Sequence, residues 1–328
     1  MPIEKTVIGS FPKSRSPLPE ALREVVTLQL QYGIDLISDG ELRCNMIQYF
    51  DQIPGLKKAE GCLKIAGRVQ PMPKEQLNDF YKIRDYRTVR SILEGLGKEE
   101  TKVKITITGP MTLGTICASS NIDSAAQYYN LCDELALYSD FSEVLLPIVK
   151  KSLEIGAYVQ IDEPQLSTGQ IEVETAEKIL KRFTSRIPSC WLKDEKVSLH
   201  ACGSIASVPR LYDSLLHLDI PILSFGFSGD FEKENFEVVS KASLENHGKK
   251  LGAGFISNIN VEDEDTVISR YGKIEGLVGK ENIKYLHPDC GFGLTKPGRV
   301  RLILERMQKI GDSIIREPKS HAKPSINF

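Results

Sequence analysis

The run Tyr158-Val159-Gln160-Ile161-Asp162-Glu163-Pro164 is apolar and β-favouring until it stops at two acids and a proline. It reads as a short strand that delivers carboxylates at its C-terminal end. The same pattern recurs along the chain. Residues 5–9, 36–39, 103–108, 197–200, 220–224, 251–256 and 283–286 form further short apolar runs, most ending at Gly, Pro, Asp or Ser. Between them lie longer stretches with helical spacing, over 19–32, 125–153, 175–183, 204–216, 234–247, 262–278 and 298–315. Strands separated by helices pair in parallel, because a parallel pair needs a long crossover. With the run at 158–162, eight such units predict an α/β fold, a closed (β/α)8 TIM barrel with an insertion after the second strand. A doubly wound open sheet is the alternative.

A length of 328 residues fits one large barrel or two smaller domains. The barrel is predicted over 1–316, with an insert at 44–102 that is too long for a βα loop. The insert is broken by Pro54, Gly55, Gly61, Gly67, Pro71 and Pro73. A hairpin is expected around 63–69 and a helix over 74–96. A long insert on the top face of a barrel serves as a lid or a binding wall. The tail 317–328 has little apolar content and is expected to be mobile.

Composition excludes several classes. Hydrophobic residues at 41% and charged residues at 26% are those of a globular chain, not a disordered one. The 42 Lys+Arg balance 44 Asp+Glu, so no broad attraction to nucleic acid or an anionic membrane is expected. No apolar run is long enough to span a bilayer, and the N-terminus lacks an apolar signal core. Seven scattered cysteines, an odd number, predict reduced thiols and a cytoplasmic location rather than a disulfide framework.

The unusual polar residues gather just after the predicted strands. Ser10 follows the first, Asp39-Gly40-Glu41 the second, Thr108-Gly109-Pro110 the third and Asp162-Glu163-Pro164 the fourth. His200-Ala201-Cys202-Gly203 ends the fifth, and His287-Pro288-Asp289-Cys290-Gly291 ends the eighth. In a barrel these points meet on the C-terminal rim, where active sites lie. Residues i and i+2 share one side of a strand, so His200 and Cys202 can face one point, and Cys290 can join them. One imidazole and two thiolates suit zinc and leave a fourth corner open for substrate. A core histidine beside two buried thiols is the competing reading, and on the residues alone the two stand level.

Asp162 and Glu163 point to opposite faces of their strand, so one at most enters the mouth, to bind an ammonium group or move a proton. Helix capping is the alternative, and Glu41 has the same two readings. Ser10 follows Gly9, where a ligand can approach the backbone closely, unless the pair is a simple turn. Gly252-Ala253-Gly254 lacks the rest of a dinucleotide loop. The acidic run at 262–265 reads as the first turn of a helix.

Six ordered segments carry a resemblance over nearly the whole chain: Ile8-Gly9-Ser10-Phe11-Pro12, Asp39-Gly40-Glu41, Thr108-Gly109-Pro110-Met111-Thr112, Gln160-Ile161-Asp162-Glu163-Pro164, His200-Ala201-Cys202 and Pro288-Asp289-Cys290-Gly291. Together they resemble the C-terminal catalytic barrel of cobalamin-independent methionine synthases, and a single barrel of this length is similar to the short, archaeal-type form. The wider superfamily includes zinc-dependent coenzyme M methyltransferases and metal-free uroporphyrinogen decarboxylases. The resemblance implies a methyltransferase that makes methionine. His200, Cys202 and Cys290 would hold Zn2+. Ser10, Glu41 and Asp162 would hold homocysteine, with the two acids facing its amino group. For the short form it implies a methylated corrinoid, methylcobalamin or a corrinoid protein, as methyl donor.

Two departures sharpen these expectations. Phe225 falls where the long enzymes carry a glutamate ligand, so three protein ligands are expected, or a replacement acid such as Asp230. Phe255-Ile256-Ser257-Asn258 lacks the histidine that protonates folate in the long enzymes, which favours a corrinoid over methyltetrahydrofolate. Three alternatives remain: coenzyme M or another small thiol as acceptor, a folate-dependent methionine synthase, and a zinc- or corrinoid-binding chaperone without turnover. Glu41 and Asp162 argue against an anionic sulfonate.

Overall fold

Each short apolar run is followed by an amphipathic stretch long enough to cross back over the sheet. The computed structural model, which describes residues 2–316, shows this alternation carried through the chain. Strand β1 (Glu4–Lys5) leads through α1 (Leu18–Gln31) to β2 (Leu36–Ser38). The insert follows, with an antiparallel hairpin of β3 (Leu56–Ala59) and β4 (Cys62–Ile65), then α2 (Tyr81–Gly95). The chain then runs through β5 (Lys102–Thr108), α3 (Pro110–Ser119), α4 (Ile122–Ala126) and α5 (Leu135–Glu154). After β6 (Tyr158–Asp162) come α6 (Val173–Thr184), α7 (Ser189–Lys193), β7 (Val197–His200) and α8 (Leu211–Leu216). The last units are β8 (Ile222–Gly226), α9 (Lys241–Asn246), β9 (Lys250–Ile256), α10 (Glu264–Val278), β10 (Ile283–Pro288) and α11 (Pro297–Arg316).

Eight strands form one parallel sheet in the order β1-β10-β9-β8-β7-β6-β5-β2. A parallel bridge between Thr6 and Leu36 joins β1 to β2 and closes the (β/α)8 barrel, so the open-sheet alternative falls. The closure is reinforced by Thr6 Oγ1, which donates to the Leu36 carbonyl at 2.7 Å, and by Ser38 Oγ, which donates to the Gly9 carbonyl at 2.8 Å.

Register sets what the barrel mouth presents. Thr108, Asp162, His200, Ser224 and Gly252 lie side by side on β5 to β9. One residue earlier the row is Ile107, Ile161, Leu199, Leu223 and Leu251, all buried in the cluster that includes helix residues such as Phe141 and Leu145. Because neighbouring residues on a strand alternate sides, the apolar row packs towards the helices and the polar row enters the barrel. Burying the apolar row removes it from water and supplies most of the driving force for folding.

Several predicted boundaries shift for identifiable reasons. The helix expected over 204–216 forms only as α8. Upstream of it Asn235 Oδ1 takes the Ile205 N–H at 2.9 Å and Ser204 Oγ takes the Ser207 N–H at 3.1 Å, so side chains replace helical partners. The stretch 234–247 splits at Ser240, which starts α9 with a reciprocal cap to Ser243. The hairpin expected at 63–69 lies earlier, turning at Glu60 (φ 55°) and Gly61 (φ 80°). The insert helix expected over 74–96 becomes a helical turn at Lys74–Asp79 followed by α2. Helix α3 was not expected, although Pro110 at its first turn after Gly109 is a start signal. Residues 317–328, expected to be a mobile tail, lie outside the described residues. No helix among the described residues is long and apolar enough to cross a membrane.

Candidate metal centre and substrate pocket

His200 ends β7 facing inward, and the chain turns so that Cys202 returns over the same mouth. Cys290 reaches it from just beyond β10. His200 Nε2 lies 2.9 Å from Cys202 Sγ, and Cys202 Sγ lies 3.1 Å from Cys290 Sγ. The three donor atoms lie within 4.8 Å of one another, and no carboxylate joins them in a group among the described residues. The hydrogen bond between the sulfurs raises the pKa of Cys202 and lowers that of Cys290.

The imidazole is aimed from behind. His200 Nδ1 lies 3.0 Å from Ser224 Oγ, which lies 2.8 Å from His287 Nε2, and His287 Nδ1 lies 2.8 Å from the Pro288 carbonyl. A carbonyl only accepts, so His287 Nδ1 carries the proton and its Nε2 accepts from Ser224. Ser224 then accepts from His200 Nδ1–H, which turns His200 Nε2 towards the two sulfurs. Burial and the neighbouring His200 push the His287 pKa down to about 3, so the relay is not interrupted by a charge. An oriented imidazole with its Nε2 set against two thiols is a donor set that fits zinc.

Phe225, the residue expected at the place of a glutamate ligand, does not face the mouth. Alternation turns Phe225 away from the mouth, against Tyr212 with ring centroids 6.0 Å apart, and makes Ser224 the inward residue.

The expected substrate residues are distributed around this centre. Ser10 Oγ accepts the Gly293 N–H at 3.3 Å, and a Cβ on Gly291 would lie only 2.2 Å from it, so Ser10 abuts the turn carrying Cys290. Asp162 enters the mouth, where Gln160 Nε2 donates to its Oδ1 at 2.6 Å. Gln160 Oε1 accepts from Lys104 Nζ, and burial pushes Asp162 up and Lys104 down. Glu41 is buried with a left-handed backbone (φ 50°). Its Oε1 accepts from Lys82 Nζ at 2.6 Å and from Thr106 Oγ1 at 2.8 Å. Burial, the largest single influence, pushes the Glu41 pKa up, but the Lys82 charge, the hydrogen bonds from Lys82 and Thr106, and the Lys13 charge together outweigh it and hold the carboxyl below its ordinary range.

Glu163 takes the capping alternative. Its carboxylate accepts from Met111 N at 3.0 Å and Thr112 N at 2.8 Å at the start of α3. A Cβ on Gly109 would lie 2.1 Å from Glu163 Oε1, which is why glycine precedes Pro110. Lys82, Lys104, Ser224 and His287 were not singled out from the sequence as site residues. His287 and Ser224 sit in strands already drawn to the mouth, whereas nothing in the insert's pattern marks Lys82.

With this geometry in hand, comparison with known proteins is informative. Residues 3–312 match the family described as "Cobalamin-independent synthase, Catalytic domain". The methionine synthase of Methanothermobacter marburgensis is 31% identical over 290 residues, covering 87% of this chain and 84% of that protein. The 5-methyltetrahydropteroyltriglutamate–homocysteine methyltransferase 2 of Arabidopsis thaliana is 24% identical, and the match covers 88% of this chain but 37% of the plant protein. A B12-independent methionine synthase from Shewanella sp. W3-18-1, solved with selenomethionine, has the same fold, with a TM-score of 0.68 at 18% identity over 96% of this chain and 98% of that one. The expected corrinoid donor is overturned here, because the matching family is described as cobalamin-independent and the plant relative is named for a pteroyl donor.

Proposed function

Because the chain belongs to the cobalamin-independent synthase catalytic-domain family and is a methyltransferase, we propose that it transfers a methyl group to the thiol of homocysteine, forming methionine, at the His200–Cys202–Cys290 centre. The donor is a methylated tetrahydropteroyl compound, the class in the plant relatives' names. The observation that carries the reading is the convergence of three zinc-type donors beside Glu41 and Asp162.

His200, Cys202 and Cys290 would hold Zn2+, whose chemistry is to keep a thiol deprotonated at neutral pH, where a free thiol is mostly protonated. The chain's own residues do the rest. Ser224 and His287 keep His200 Nε2 turned towards the two sulfurs. Glu41 and Asp162 receive the substrate ammonium and so place its sulfur at the mouth, next to Cys202 and Cys290. Ser10 bounds the pocket on the Cys290 side. In the transfer, the sulfur's electron pair forms the S–CH3 bond while the N5–CH3 bond of the donor breaks. The released pair stays on N5, which takes a proton from water.

Two carboxylates at the thiol's far end favour an ammonium-bearing acceptor over a sulfonate such as coenzyme M. A carrier without turnover has no use for the acids beside the sulfurs. The test is an assay of zinc-loaded protein with homocysteine and either methyltetrahydropteroyltriglutamate or methylcobalamin. Methionine formed with the pteroyl donor is the expected result. Turnover with methylcobalamin alone contradicts the assigned donor, and turnover with neither contradicts the assigned reaction.

A further inference from the structure

The insert delivers one charged group to the barrel interior. Lys82 on α2 is 1% exposed, and its ammonium bonds Glu41 Oε1 at 2.6 Å and Thr106 Oγ1 at 3.0 Å, 3.9 Å from the centre of the Tyr49 ring. Both bonds accepted by Glu41 fall on Oε1. Among the described residues no donor is recorded on Oε2, and that atom is not among the sealed polar atoms that lack a partner. The backbone supports the same orientation, because Glu41 is held at φ 50° with its N–H on Asp39 Oδ1 at 3.0 Å. A non-glycine residue in this region is strained, and such strain persists where the surroundings fix it.

We propose that Lys82 is a positioning residue, which clamps the Glu41 carboxylate by one oxygen and turns the other towards the ammonium group of an amino-acid thiol. The inference rests on the function proposed above and deepens it, because it makes the insert part of substrate recognition. Lys82 does not touch the substrate. It supplies the positive charge without which a buried carboxylate takes up a proton and loses its attraction for an ammonium group. The charged groups around Glu41 are Lys82 from the insert, Asp39 on its own turn, Lys13 from the loop after β1, and Lys104 and Asp162 from β5 and β6. With Lys82 removed, Asp39 and Asp162 oppose the Glu41 charge while Lys13 and Lys104 remain to favour it, and burial decides the balance.

The test compares zinc-loaded wild type, Lys82→Met and Lys82→Arg, using homocysteine and its amine-free counterpart γ-mercaptobutyrate as acceptors. Lys82→Met is expected to raise KM for homocysteine at neutral pH by at least ~10-fold, with kcat and KM for γ-mercaptobutyrate little changed. The ratio of variant to wild-type KM for homocysteine should fall as pH rises from about 6 to about 9, because Glu41 regains its charge. Taking this ratio cancels titrations common to both proteins. Lys82→Arg, which keeps the charge, should restore a flat ratio. Should Lys82→Met fail to fold, Glu41→Gln and the double variant Lys82→Met/Glu41→Gln both remove the carboxylate that Lys82 clamps, and both should share one KM for homocysteine.

Equal losses for both thiols, or a pH-independent ratio, overturn the role of Lys82 while leaving the reaction intact. A double variant weaker than Glu41→Gln also overturns it, because Lys82 then acts independently of Glu41. Wild type that uses both thiols equally well overturns the homocysteine reading itself, and this inference with it.

Discussion

Asp162 and Glu163 are adjacent acids with unrelated tasks, and strand alternation separates them. One enters the mouth and the other caps α3. That split was legible in the sequence as a pair of alternatives, and only packing could choose between them. His200, Cys202 and Cys290 were legible because their residue types and strand-end positions are unusual together. Ser224 was not, since a serine inside an apolar run carries no signal of its own. The relay through Ser224 makes a prediction at this scale. Ser224→Ala removes the acceptor that holds the His200 Nδ1 proton and the donor to His287. Zinc affinity, measured by competition with a chromogenic chelator, should fall about 10–100-fold. An unchanged affinity would mean that the relay does not orient the ligand.

The insert was the least readable element, and its wiring explains why. Its hairpin is short, with Lys57 and Lys58 exposed, and it turns on the positive-φ pair Glu60-Gly61, so neither length nor alternation marks it strongly. It is tied down by an ion pair that sequence spacing cannot reveal. Arg43 Nε donates to Asp85 Oδ2 at 3.0 Å and Arg43 Nη2 to Oδ1 at 2.5 Å, with the Asp85 side chain 2% exposed on α2. Arg43 lies just after the turn that carries Glu41, so the same contact braces α2, and with it Lys82, against the mouth. Arg43→Met leaves the Asp85 carboxylate buried with Tyr49 OH, 3.4 Å away, as its recorded side-chain donor. The expected cost is about 2–4 kcal/mol in urea unfolding, with early loss of amide protection in α2 on hydrogen exchange. Stability within ~0.5 kcal/mol of wild type would show that α2 is held by its apolar face alone.

For the molecule as a whole, repeated strand–helix units made the barrel readable, because each strand is short, apolar and followed by a crossover. The closing bridge between Thr6 and Leu36 was not readable, since β1 is only two residues long. Closure matters for the chemistry. It brings the ends of β7 and β10, which are separated by β8 and β9 in the sheet, round to one mouth. The His200–Cys202 pair and the distant Cys290 then meet within 4.8 Å, and acids from β6 and the turn after β2 face the same space. The most direct test of this arrangement is zinc K-edge X-ray absorption on the purified holoenzyme, with and without homocysteine. The predicted result is two sulfur ligands at roughly 2.3 Å beside imidazole nitrogen, rising to three sulfurs when homocysteine is added. A protein that retains no zinc, or whose zinc sees no sulfur from the chain or gains none from homocysteine, would contradict it.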